Sequence, residues 1–216
     1  LLSPILMTLA AAYLEKYPKT SYREEVESLL IDSYITSRNY EEAIRLLEGK
    51  SGFENRTAYQ KVSFFRAIEL YNEGNYKLSR ALFSKSIKES KVPVFTARGL
   101  FWKAETDYIL GDFDDALIGY KQFLQQSEIS KVEEYKNINY NLGYTYFKLK
   151  NYLKATGYFQ KFVDNYKKDK LRLNDAYLRL GDGYFVSSNY NDAISAYEKA
   201  INLNEVESDY ATFQKA

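Results

Sequence analysis

Cysteine and histidine are both missing from the 216 residues. Their absence removes disulfides, thiolate and imidazole metal ligands, and the side chain that most often serves as a general base near neutral pH. It does not fix a compartment, because a chain without cysteine suits an oxidising periplasm as well as a reducing cytosol. Proline occurs three times and glycine ten times, so helix breakers are scarce. No apolar run reaches the roughly 18 to 20 residues that a bilayer-spanning helix needs. The apolar opening from Leu1 to Tyr17 is interrupted by Pro4, Thr8 and Glu15 and has no basic leading segment, which makes it a poor signal peptide. Charge of one sign is lacking too: 30 Lys and Arg face 29 Asp and Glu, a net charge of +1. A nucleic-acid binder draws most of its non-specific affinity from a concentrated positive face, so nucleic acid is not an expected partner.

Tyrosine and phenylalanine are abundant, at 22 and 13 residues. Apolar residues recur at i, i+3 and i+4, and no stretch alternates as a strand would. The spacing predicts helices at about 3–17, 21–37, 40–49, 55–73, 75–90, 93–110, 112–127, 131–149, 151–166, 171–187, 189–203 and 206–216.

An internal repeat organises these helices. A polar residue followed by an aromatic recurs as Asn39-Tyr40, Asn75-Tyr76, Asp112-Phe113, Asn151-Tyr152 and Asn189-Tyr190, at spacings of 36, 37, 39 and 38 residues. Pairs of small or apolar residues twelve apart keep the same phase: Ile31 with Ala43, Ala67 with Ser79, Ala104 with Ala116, Gly143 with Ala155, and Gly181 with Ala193. A glycine inside a helix costs about 1 kcal/mol relative to alanine, so Gly143 and Gly181 imply a close approach of two helices. The Asn or Asp is expected to cap the second helix of each pair, with Glu42, Asp115 and Asp192 at the positive end of its dipole. Ala116, Tyr120 and Phe123, or Ala155, Phe159 and Phe162, form a stripe expected to face the next unit.

Leu142-Gly143, Tyr146, Asn151-Tyr152, Ala155 and Phe159 in one unit, and Leu180-Gly181, Tyr184, Asn189-Tyr190, Ala193, Tyr197 and Ala200 in another, resemble the tetratricopeptide repeat. The resemblance implies an all-α fold, a right-handed superhelical solenoid of antiparallel helix pairs. Units are expected at about 21–52, 55–90, 93–128, 131–168 and 171–204, as one array over 1–216. Half units at 1–18 and 205–216 lead to the expectation of a piece of a longer array. The period exceeds the common 34 residues, so longer helices or turns are expected. Tyr158-Phe159-Gln160-Lys161-Phe162-Val163-Asp164-Asn165-Tyr166, with Tyr13-Leu14-Glu15-Lys16-Tyr17-Pro18, is similar in style to repeats of bacterial cell-envelope proteins. That similarity favours a periplasmic or outer-membrane-associated location, with the cytoplasm as the alternative.

Motifs with chemistry are few. Gly49-Lys50-Ser51 lacks the glycine that a phosphate-binding loop needs five residues earlier, where Ile44 stands within a helix. Asp114-Asp115 and Glu133-Glu134 are neighbours on helices, so their side chains diverge by about 100° and do not converge on a substrate. The basic run from Tyr166 to Arg172 falls between units, as a solvated loop or a contact for an acidic partner. No catalytic residue, cofactor or metal is expected.

The family resemblance places one face of the first helices along a concave surface. Those residues are Phe64, Ile68 and Tyr71; Phe101, Glu105 and Tyr108; Tyr140, Tyr144 and Phe147; and Leu178, Asp182 and Phe185. Aromatics there offer rigid contact area, and their hydroxyls would orient a peptide. The Lys, Arg and Asn clamp of chaperone-binding family members is not matched, so an apolar or amphipathic segment is the expected ligand. The expected function is a non-enzymatic scaffold for a protein or peptide partner, without nucleic acid and without membrane insertion, self-association being open. The alternative is the ligand-binding or dimerising region of a larger regulatory protein.

Overall fold

The structure is a computed structural model that describes residues 4–127, 129–166, 168–203, 205 and 208–215. Expected helix positions at 3, 206, 207 and 216, and Lys167 of the basic run, lie outside the described residues. Among the described residues all regular structure is helical, in twelve α-helices. They are α1 (Pro4–Lys16), α2 (Arg23–Thr36), α3 (Tyr40–Leu47), α4 (Phe53–Asn72), α5 (Tyr76–Glu89), α6 (Pro93–Leu110), α7 (Phe113–Leu124), α8 (Ile138–Lys148), α9 (Tyr152–Asn165), α10 (Lys170–Val186), α11 (Tyr190–Leu203) and α12 (Ser208–Lys215). The chain divides into two compact units, one reaching to Thr106 and including the short piece after Gln125, the other holding 107–125 and everything from Ile129 onward.

The turn inside each helix pair is built the same way five times. Arg38, Gly74, Gly111, Lys150 and Ser188 all adopt the left-handed region, with φ of 61°, 80°, 87°, 57° and 59°. The next amide reaches back to a carbonyl five residues earlier: Asn39 to Tyr34 and Asn75 to Leu70 at 2.8 Å, and Asp112 to Asp107, Asn151 to Tyr146 and Asn189 to Tyr184 at 2.9 Å. This Schellman pattern satisfies the last carbonyls of the first helix and reverses the chain.

Capping by the polar turn residue is the expectation that the structure corrects. The side chains of Asn39, Asn75 and Asp112 make no capping hydrogen bond to the start of the second helix. Asn151 does accept, from the Lys154 amide at 3.2 Å. Elsewhere the amide turns to its neighbours, Asn39 donating to Ser37 Oγ at 3.1 Å and Asn75 to a Glu73 carboxylate at 3.3 Å. The Schellman turn has already set the chain's direction, which leaves the side chain free to bond across the turn.

Small residues do mark close packing, but their partner is a ring. A Cβ added at Gly143 would lie 2.8 Å from the Phe159 ring, and one at Gly181 would lie 2.3 Å from the Tyr197 ring. The stripe on the second helix therefore closes on its own first helix: Phe159 also meets Tyr140 and Tyr144, with ring centroids at 6.1 and 5.2 Å. This corrects the expectation that the stripe is given over to the next unit. In the first compact unit Ser79 performs the equivalent task with a hydroxyl, donating to the Ala67 carbonyl at 2.8 Å.

The expected helix at 131–149 begins later, at Ile138, after two 3-10 turns at Ile129–Lys131 and Glu133–Asn137. Val132 is extended between them, at φ −107° and ψ 138°. The 39-residue spacing is thus absorbed by tight turns before the helix, as the long period requires.

Buried amides fix the loops that lead from one pair to the next. Gln60 is fully enclosed; its Oε1 accepts from the amides of Lys91 and Val92 at 3.0 and 2.8 Å, and its Nε2 donates to Thr96 Oγ1 at 3.1 Å. Asn174, also enclosed, accepts from the Glu205 amide at 3.0 Å. Each satisfies backbone groups that would otherwise be stranded beside the core.

Candidate functional site

In the first compact unit, the predicted surface residues of α4 and α6 separate into core and rim. Phe64 is 1% exposed, edge-on to Phe95 at 5.3 Å, with the Arg98 guanidinium 4.8 Å from its ring centre. Phe101 is also buried, and Ile68 is half-buried against the cluster of Phe64, Ala67 and Phe83. Tyr71 is half-buried between the rings of Tyr76 and Trp102, at 5.5 and 5.2 Å. Burial, then the Glu105 carboxylate and Tyr76, push its phenol up to about 12. Trp102, Phe65, Phe95 and Arg98 belong to this wall and were not anticipated, although Trp102 is the sole tryptophan.

The α1–α2 crevice in the same unit encloses about 450 Å³ and is lined mostly by apolar groups, among them Leu9, Tyr13, Tyr22, Val26 and Leu29. One pair further on, Ile31, Tyr34 and Ile35 of α2 fill the corresponding crevice against Leu47, Tyr59 and Val62. Lys50 of the Gly49-Lys50-Ser51 stretch donates to Glu27, a buried carboxylate that also takes Arg23 at 2.9 Å.

In the second compact unit, Tyr108 meets Phe113 at 5.3 Å, and Phe147 and Phe185 make the same contact with Tyr152 and Tyr190, at 5.2 and 5.6 Å. Each aromatic near the end of a first helix thus stands edge-on to the aromatic that opens the second. Leu178 is fully buried, packed with Ala193, Tyr197, Ala200 and Ala211, and so belongs to the core of its hairpin. Tyr140 and Tyr144 lie half-buried on α8 and both donate to Asp175 Oδ2 on α10, Tyr140 at 2.7 Å.

Asp175, Arg179 and Asp182 follow at i, i+4 and i+7 on α10, one face of the helix. Arg179 lies 3.4 Å from Asp175 and donates to Asp182 Oδ2 at 2.7 Å. Asp182, 8% exposed, accepts on Oδ1 from Tyr197 at 2.9 Å and from Tyr210 at 2.8 Å. Burial first, and then the Asp175 charge, raise the phenols of Tyr140 and Tyr144; burial and Asp182 do the same for Tyr197. Burial works against the Arg179 charge, but Tyr144, Asp175 and Asp182 outweigh it and raise its basicity.

Two expectations change in consequence. The hydroxyls of Tyr140 and Tyr144 were expected to orient a ligand, yet both are committed to Asp175. Asp182 was expected on the open surface, and it instead ties α10 to Tyr197 on α11 and Tyr210 on α12. Asp175, Arg179 and Tyr210 were missed, although the charge spacing on α10 was readable. What this arrangement offers is rigid ring surface. Among the described residues no group of three or more metal-binding side chains comes together, and no helix is long and apolar enough to cross a membrane.

Antiparallel helix pairs joined by repeated Schellman turns, with rings laid over glycines, define a helical-repeat protein of the solenoid class. Residues 139–169 and 175–207 each match a tetratricopeptide repeat family model. The chain therefore carries tetratricopeptide repeats over these two segments, within an all-helical solenoid fold of that kind. Solved structures agree on the fold. BtubC (BKLC) from P. vanneervenii is 14% identical, at a TM-score of 0.60, with 93% of this chain and 92% of that one covered. MamA from Desulfovibrio magneticus RS-1 is 17% identical, at a TM-score of 0.58 over 83% of this chain and 93% of that one. YrrB, described as a tetratricopeptide repeat protein with an unusual peptide-binding site, is 12% identical, at 0.61 over 96% and 98%. No curated protein sequence matches the chain.

Proposed function

We propose that the chain is a non-enzymatic scaffold that takes an apolar or amphipathic segment of a protein partner on the aromatic faces of its first helices. The repeat fold supports protein–protein interaction in general terms. The commitment of the Tyr140 and Tyr144 hydroxyls to Asp175 carries the finer reading. With its polar atoms engaged internally, this surface presents rings held in fixed positions, and rigid aromatic area binds with little further loss of entropy. In the second compact unit the partner surface is Tyr108, Tyr140, Tyr144, Phe147 and Phe185, with Leu178 and Asp182 supporting it from below. In the first it is Ile68, Tyr71 and Glu105, with Phe64 and Phe101 behind. A peptide ligand is also what YrrB is described as binding.

The charged groups of α10 point away from catalysis, because Asp175, Arg179 and Asp182 spend their bonds on one another and on tyrosines. Placement in a bacterial envelope rests on the style of the repeats, and fractionation of the source cells tests that part.

Panning a displayed peptide library against the protein tests the surface. Recovered peptides should be rich in apolar and aromatic residues, and should bind the Tyr108→Ala plus Tyr144→Ala variant at least about tenfold more weakly, a loss of about 1.4 kcal/mol. Unchanged affinity in a variant that keeps its helical circular dichroism would defeat the proposal.

A further inference from the structure

Leu153, Val186, Tyr190 and Phe185 are exposed large apolar side chains, at 81%, 57%, 55% and 47%. They lie at the tips of two neighbouring helix pairs in the second compact unit. α9 and α10 run antiparallel in contact, and their crossing is close: a Cβ at Gly183 would be 2.4 Å from Thr156 Cγ2 and 3.9 Å from the Tyr152 carbonyl. That crossing sets the start of α9, with Leu153, beside the end of α10, with Phe185 and Val186. Tyr190 follows through its ring contact with Phe185 at 5.6 Å.

Three exposed lysines, Lys148, Lys150 and Lys154, occupy the α8–α9 turn next to Leu153. Lys154 also reaches the Tyr146 ring, 5.4 Å from its centre. On the α10–α11 turn Asp192 is the acidic group, and it takes the Asn189 amide at 2.6 Å. The apolar tips are therefore flanked by local positive charge in a chain whose overall charge is +1.

We propose that this edge is a peripheral docking surface for an anionic lipid headgroup layer; it adjoins the aromatic faces at Phe185 and does not rest on their reading. Two features select a lipid surface over a protein groove. A leucine that stands four-fifths clear of its neighbours does not wall a cleft; it is a wedge suited to a soft layer. Lysines placed beside such a wedge keep their charge among the headgroups while their alkyl stems cover apolar surface. Apolar insertion and charge attraction are each weak alone, and stable peripheral binding draws on both.

Co-sedimentation with vesicles of phosphatidylglycerol and phosphatidylcholine in equal parts provides the test, with phosphatidylcholine alone as the neutral arm. The protein should pellet with the anionic vesicles and stay in solution with the neutral ones. Two variants alter exposed side chains only: Leu153→Ser with Val186→Ser, and Lys148→Glu with Lys150→Glu and Lys154→Glu. Each should lose at least tenfold in vesicle affinity with an unchanged melting temperature. No co-sedimentation with anionic vesicles, or equal binding by the protein and both variants, overturns the proposal. Acidic peptides captured by the Lys148–Lys154 edge in the absence of vesicle binding would also overturn it, in favour of a protein partner.

Discussion

Gly181 carries the sharpest demand of any single residue. Its missing Cβ is the space in which the Tyr197 ring lies, and a methyl group there would sit 2.3 Å from a ring carbon. The ring cannot retreat, because its hydroxyl is held by Asp182. Gly181→Ala should therefore destabilise by about 2 to 3 kcal/mol, the upper part of the range for overpacking. Gly143→Ala, at 2.8 Å from a Phe159 ring that has no hydroxyl, should cost less. Urea unfolding of both variants checks the order. Lys150 is the opposite case, a side chain in a left-handed turn at φ 57°. That conformation costs a non-glycine residue about 1 to 2 kcal/mol, and glycine gives back part of the gain through its freer unfolded state. Lys150→Gly should raise stability by about 0.5 kcal/mol on the same measurement. The glycines were legible in sequence because they stand where helix propensity opposes them. The ring each one receives was not, since phase alone points to the small residue twelve positions on and says nothing of how far an aromatic side chain reaches.

Helices and turns were easier to anticipate than the bonds between helices. Periodicity located the helix pairs, and the 3-10 turns before α8 answer a period that was visibly too long. The line of Asp175, Arg179 and Asp182 is a bond pattern between elements, and sequence supplies its spacing without its partners. It makes α12 dependent on α10: Tyr210 reaches Asp182 at 2.8 Å, as Tyr197 does at 2.9 Å. Asp182→Ala takes one carboxylate from Arg179 and leaves the buried Tyr197 phenol, with the more exposed Tyr210 phenol, without this acceptor, a loss of about 2 to 3 kcal/mol. Hydrogen exchange should rise over 208–215 before it rises in α8 or α9. An acid-sensitive tie holds the first compact unit, where Arg56 on α4 donates to Glu89 at the end of α5 at 2.9 Å. The Arg56 hydrogen bond outweighs burial and lowers the Glu89 carboxyl below its ordinary 4.5. A depressed carboxyl stabilises the fold above its unfolded value and loses that contribution as pH falls through the folded one. Thermal unfolding between pH 6 and 3 should show an acid limb that Glu89→Gln makes shallower.

At the scale of the whole molecule, the concave residues were legible only as positions. The family resemblance selected one face of each first helix, but exposure depends on what the next helix covers. Leu178 disappears beneath α11 and α12, while Phe185 stays open about two turns later. The edge bearing Leu153 and Lys148–Lys154 escaped notice for a related reason: its members come from two repeats and become one patch only where Gly183 lets α10 lie against Thr156. The two proposed surfaces obey different physics, and salt should separate them. Ring faces whose polar atoms are internally bonded bind by burial, which added salt weakens little. Exposed lysines facing an anionic layer bind through a field whose reach shrinks from about 10 Å at 0.1 M salt to about 3 Å at 1 M. Raising sodium chloride from 0.1 to 0.5 M should leave the affinity of a selected apolar peptide within about twofold, while vesicle binding falls by about tenfold or more. A peptide affinity that fell in step with vesicle binding would mean that charge, and not ring surface, recognises the partner, and that Arg179 and Asp175 leave their internal bonds to meet it.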